Sequence, residues 1–158
     1  MIWFSLDVLL QKISKDELTD KDGFHYLIAF AITLLVMSFS LNYVLTSIWL
    51  RLVEFVLALL ITFWGLQAAF DANQNGDGKD FIKRIMAISW VVNMKLLFYN
   101  FVLCIILATF LAFYAVITGN VPSVDSFILE IAETFYLVLL TLIYYRGIVV
   151  SFRRLSAK

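Results

Sequence analysis

The 158 residues are 63% hydrophobic and 15% charged, with 12 Lys and Arg balanced by 12 Asp and Glu. An ordinary soluble domain is roughly 45–50% apolar and about 25% charged, and a chain this short has too little interior to hide the difference, so the excess is expected to face lipid. The zero balance excludes the basic surplus of a nucleic-acid binder; the lone Cys104 excludes an internal disulfide, and the lone His25 excludes bis-histidine haem ligation within one chain.

Residues 1–23 come first. Ile2, Leu6, Leu9, Leu10 and Ile13 recur at helical spacing with polar residues between them, which predicts an amphipathic helix. Trp3 and Phe4 suit the membrane interface, and packing against the inner ends of the other helices is the equal alternative. The start is not expected to be a cleavable signal, because it opens on Ile2, Trp3 and Phe4 and carries Asp7. The charged stretch 16–22 ends at Gly23, read as a hinge into the membrane.

The first span is expected over 24–45 and the second over 47–70, joined by a tight connection around 42–46 as an antiparallel hairpin. About 20 apolar residues at ~1.5 Å each cover a ~30 Å hydrocarbon core. Residues 71–84 are the most polar stretch and are read as a solvated loop. The apolar run that follows is too long for one crossing, so 71–95 is assigned to a cytoplasmic loop and helix, and the third span to 96–117; a single protruding helix is the alternative. Gly119, Asn120 and Pro122 mark a turn. Ser123 or Ser126 is a cap for the fourth span, 126–150, before a basic tail over 153–158.

This division places eleven of the twelve positive side chains on one side, leaving Arg51 on the other. The positive-inside rule makes that side cytoplasmic, with both termini inside. Tyr26, Trp90, Tyr144 and Tyr145 then fall at the inner boundary, and Tyr43, Trp49 and Tyr114 at the outer one, as an aromatic belt requires. The expected fold is all-α: one membrane domain over 24–152, an antiparallel four-helix transmembrane bundle with an N-terminal amphipathic helix. Brevity and the absence of targeting features point to a bacterial inner membrane.

Three groups of residues carry chemistry. Asp71, Asn73, Asn75 and Asp77, with Gly76, resemble the first half of an EF-hand calcium loop. The likeness fails at Gly78 and at Ile82, where the bidentate glutamate belongs, so a solvated turn is the preferred reading. Arg51 and Glu54 share a helix face and can pair; Glu130, Glu133 and Asp125 lie near the same outer boundary, forming an outer charged cluster that joins spans two and four or, less favoured, attracts cations. Asn93, Leu97, Asn100 and Cys104 make a polar stripe along span three, suited to interhelical hydrogen bonds or a hydrated path. Gly65, Ala68 and Ala69 are expected to face Ala29 and Thr33 across spans one and two.

The sequence holds no HExxH pair, no GxSxG elbow and no phosphate loop, so neither an enzyme nor a cofactor is expected. The leading expectation is a homo-oligomeric pore (an ion channel) or membrane-effector subunit, with the charged cluster and the stripe facing the assembly axis. Its rival is a non-conducting accessory or immunity-type protein that binds a membrane or cytoplasmic partner through its helices or its 71–95 region. A calcium-responsive sensor is the third.

Overall fold

In the computed structural model the chain forms five helices: α1 (Leu6–Ser14), α2 (Asp20–Ser40), α3 (Ile48–Gln74), α4 (Phe81–Thr118) and α5 (Ser126–Ser156). The structure describes residues 2–40, 48–119 and 126–157, and no strand occurs among them. The 42–46 connection, Tyr43, Asn120, Pro122, Ser123 and Asp125 lie outside the described residues. Three helical stretches among the described residues are long and apolar enough to cross a membrane: Ile48–Gln74, Phe81–Thr118 and Glu130–Ser156.

Local chemistry sets the helix ends. Thr19 and Asp22 form a reciprocal cap at the start of α2: the Asp22 N–H donates to Thr19 Oγ1 and the Thr19 N–H to Asp22 Oδ2, both at 3.2 Å. Each satisfies an amide that the first turn leaves without a carbonyl. Gly23 therefore sits inside α2 and is not a hinge; it leaves room for the Lys83 side chain, whose Cγ would lie 3.0 Å from a Cβ there. At the other end of the molecule Gly119 stops α4 with a left-handed φ of 67°, its N–H donating to the Ala115 carbonyl at 2.9 Å.

Residues 81–118 form one helix of 38 residues, about 57 Å long at ~1.5 Å per residue. No break separates an inner helix from a third span; the division is one of environment. Ile85, Ala87, Ile88, Trp90, Val91 and Val92 are buried in protein, whereas none of the most apolar 18-residue window of α4 is buried.

The protein-covered end, termed the head here, also contains α1, the 75–80 turn and the end of α5. There α1 buries Leu9, Leu10 and Ile13 against α4 and α5, while Trp3, Phe4 and Val8 stay exposed. Trp3 meets Trp90 edge-on at 5.3 Å. Tyr26 is buried, its hydroxyl accepting from the Ile2 N–H at 2.8 Å. Tyr26 and Trp90 are thus core residues of the head and not members of an interfacial belt. Asp7 reaches Arg154 at 3.7 Å, so both ends of the described chain lie at the head. The basic tail is helical as far as Ser156, with Ser151 and Phe152 buried.

The helix pairings differ from the expected hairpin. Among the described residues α3 packs most extensively on α5, α2 on α4, and α4 on α5; α2 and α3 are not closely packed. Gly65 approaches Tyr145 and Gly76 approaches Ser156, so α3 and α5 run parallel. Asn100 meets Tyr136 and Phe81 meets Phe152, so α4 and α5 run antiparallel. The small face of α3 therefore serves α5, not Ala29 and Thr33 of α2: the Tyr145 ring fills the gap that glycine leaves.

A Cβ at position 65 would overlap the Tyr145 ring. Gly65→Val is expected to cost about 2 kcal/mol through overpacking, read as a lowered melting temperature of the detergent-solubilised protein. Tyr145→Ala in the same chain should recover part of that loss, whereas simple additivity would show that the two sites do not touch.

Candidate functional site

The 71–84 stretch is a solvated turn only in part: 75–80 form a largely exposed turn, but residues 71–74 complete α3, 81–84 begin α4, and Asn73 and Arg84 are only 2% and 6% exposed. Burying a guanidinium costs several kcal/mol unless its donors are taken up, and here they are. Arg84 donates through Nη1 and Nη2 to the two carboxylate oxygens of Asp77, the second bond at 2.7 Å, and through Nη1 to Asn73 Oδ1 at 3.3 Å.

Asn73 completes the link. Its Nδ2 donates to the Lys79 carbonyl at 3.4 Å, and its own carbonyl accepts the N–H groups of Gly76 and Gly78, each at 3.1 Å. The Lys79 N–H donates to Asp77 Oδ1 at 3.1 Å. One amide, one carboxylate and one guanidinium thus close the turn between α3 and α4.

This network floors a recess of about 500 Å³ whose walls include Ile13 and Ser14 of α1, Asn75, and Leu155 and Ser156 of α5. Ser156 Oγ donates to the Ala72 carbonyl at 2.6 Å. Elsewhere on the head, Lys12 pairs with Asp22 at 2.8 Å, and Lys83 bridges Asp80 at 2.8 Å and Asp20 at 3.2 Å. The bidentate Arg84 holds the Asp77 carboxyl down at about 2, from an ordinary 3.8. The Lys12 ammonium, helped by the Thr19 hydroxyl and N–H, holds Asp22 at about 2 as well.

The four residues of the calcium-loop resemblance do not meet at one point. Asn73 and Asp77 both turn to the Arg84 guanidinium, and Asp71 lines a separate groove beside Arg153. A cation placed between Asn73 and Asp77 would meet a fixed positive charge. Among the described residues no three His, Cys, Asp or Glu side chains gather as a metal-binding group.

The polar stripe of α4 is divided. Asn93, Leu97 and Asn100 line a cavity of about 540 Å³ bounded by α2, α3, α4 and α5, while Cys104 is exposed and outside it. Asn100 Nδ2 donates to the Leu96 carbonyl at 2.9 Å, and its Oδ1 accepts from the Tyr136 hydroxyl. At the far end Arg51 and Glu54 form an i,i+3 pair at 3.2 Å, both partly exposed. The α3–α5 register sets that pair level with the half-buried Glu130 and Glu133.

Sequence reasoning missed Arg84 as the organiser of the head, and Thr33, Thr62 and Thr141 as cavity residues. Arg84 carried a signal, since it follows Asp77 by seven residues across a glycine-rich turn. The threonines carried none, because each lies alone in an apolar run.

The network's stability should be lopsided. Asp77→Asn leaves a buried guanidinium half satisfied and is expected to cost about 1–3 kcal/mol, the lower part of the range reflecting the half-exposed carboxylate. Arg84→Met removes the buried charge itself and should cost less. Because the Asp77 carboxyl is depressed, its contribution is whole above the ordinary value of 3.8 and is lost as pH falls towards about 2. Thermal melts of the wild type between about pH 5 and about pH 1, roughly one unit beyond those values, should fall more steeply than those of Asp77→Asn; parallel curves would remove this pair from the account.

Compared with known proteins, the chain matches no family model, no curated protein and no solved structure.

Proposed function

We propose that the protein is a non-catalytic, four-span membrane protein with both termini in the cytoplasm, acting as a homo-oligomeric pore or membrane-effector subunit of a bacterial inner membrane. The reading adds α2 to the three long apolar helices as the remaining crossing, and takes the exposed side of α1, with Trp3, Phe4 and Val8, as seated at the interface. Its orientation rests on the head's cations, among them Lys12, Lys83, Arg84, Arg153 and Arg154.

The observation that supports assembly is the bonded pair Asn100–Tyr136. Both residues lie within spans, yet Tyr136 is 36% exposed on the outside of the protomer. Polar groups at bilayer depth are normally covered by helices and not by acyl chains. A second copy laid along the α4–α5 seam would cover this pair and part of the bare apolar length of α4. The far-end carboxylates Glu130 and Glu133 would then repeat around the assembly, where they could draw cations towards it.

A partner-binding accessory role is the second reading. It is favoured by the concave polar recess of about 500 Å³ on the head, a shape that suits a protruding side chain of another protein.

Native mass spectrometry of the detergent-purified chain should give a defined oligomer that Tyr136→Phe weakens. In liposomes the wild type should pass ions, with a flux that Glu130→Gln alters. A strict monomer with no flux would remove the assembly reading and leave the accessory one.

A further inference from the structure

The cavity at the meeting of α2, α3, α4 and α5 has a chemistry that selects its contents. Its volume, about 540 Å³, lies within the range of small-molecule sites, roughly 300–1,000 Å³. Among the described residues no charged side chain lines it. Much of the wall is Phe30 with leucines of α4 and α5, and the polar groups are hydroxyls and amides.

The threonines and asparagines among them are not equally engaged. The Thr33 and Thr141 hydroxyls donate back to the Ala29 and Leu137 carbonyls, at 2.9 and 2.8 Å. Each therefore offers the cavity only an acceptor oxygen. Asn100 is engaged at both ends, by Leu96 and by Tyr136. Asn93 and Thr62 line the cavity on different helices and make no side-chain hydrogen bond to another described residue. Both are partly buried, and where lipid instead of water fills the space beside them, an amide and a hydroxyl without partners are costly.

A cluster of water satisfies polar walls, each molecule needing two to four polar partners, but here it would face a mainly apolar surface of leucines and aromatic rings. A charged ligand would find no counter-charge. We infer that this cavity is a binding site for an uncharged single-chain amphiphile, with its hydroxyl or carbonyl head hydrogen-bonded to Asn93 and Thr62 and its tail against the leucines of α4 and α5. The inference rests on the membrane reading above and is independent of the oligomeric state.

The test uses the full chain in phosphatidylcholine nanodiscs and three probes that share one tail: 1-decanol, decane and decanoate at equal mole fraction. Decanol should raise the wild-type melting temperature by about 4 °C and saturate, while decane, without a head, and decanoate, with a charged one, shift it by less than half as much. Asn93→Leu with Thr62→Val should abolish the difference between decanol and decane. Leu140→Trp, which fills the tail space and leaves both polar groups in place, should abolish it too, and keeps the test decisive if the polar double variant folds poorly. Equal shifts for all three probes, or a decanol preference that survives Leu140→Trp, would overturn the site. An oligomer that ignores decanol overturns this inference alone, and a monomer that answers it overturns only the assembly reading.

Discussion

Everything at the head is arranged around one buried cation. Among the described residues α3 and α4 are consecutive in the chain but do not pack along their lengths; α5 makes the main contact with α3. What joins them is the turn, closed by Arg84 on Asp77 and Asn73 and by the edge-on contact of Phe70 with Phe81 at 5.2 Å. Phe81 also touches Phe152, so the same few residues set where α5 ends. A guanidinium suits this task better than an ammonium, because its planar fork takes a carboxylate with two parallel bonds and still has a donor for the amide.

The ion pairs are distributed unevenly. Of those among the described residues, only Arg51–Glu54 lies away from the head. The head is built as a soluble domain is, with a buried apolar cluster drawn from α1, α2, α3, α4 and α5 and a charged rim. Away from the head's core the helices expose Trp49, Phe63, Trp64, Phe110 and Phe113. In water that surface would be untenable; in lipid it is the ordinary condition of a spanning helix, whose association depends on shape and hydrogen bonds because hydrocarbon offers no hydrophobic drive. The fit of Gly65 to Tyr145 and the Asn100–Tyr136 bond are contacts of those two kinds.

The helical content and the three long apolar helices were legible in composition and hydropathy, since an apolar run of 20 residues permits few other structures. The pairings were not. Hydropathy reports that a side chain avoids water and is silent on whether lipid or protein receives it. Tyr26 and Trp90 show the difference: both occupy positions that a belt residue would, and both are buried in the head. Polarity misled in the opposite direction at Asn73 and Arg84, where a run of Asp, Asn and Gly reads as solvated turn but the helix continues and buries its amide. Of the candidate site residues, the i,i+3 relation of Arg51 to Glu54 was legible because helical geometry alone sets it. That Asn93 and Thr62 line one cavity depends on how α3 and α4 are placed around α5, and no local pattern encodes that.

The contrast between a tied head and bare helices bears on how such a protein can act. Motion is easiest where few contacts resist it, and here that is the end away from the head, around the cavity and beyond it. The four helices that bound the cavity are held together at one end by Arg84, by Lys83 with Asp20 and Asp80, and by α1 lying over α4 and α5. A change in what fills the cavity would therefore be expressed as a spreading or closing of the far ends about a fixed base. It would move Tyr136 and the carboxylates of α5 relative to α4. The α4–α5 seam borders the cavity, so occupancy of the cavity and assembly along that seam would be linked through the same two helices.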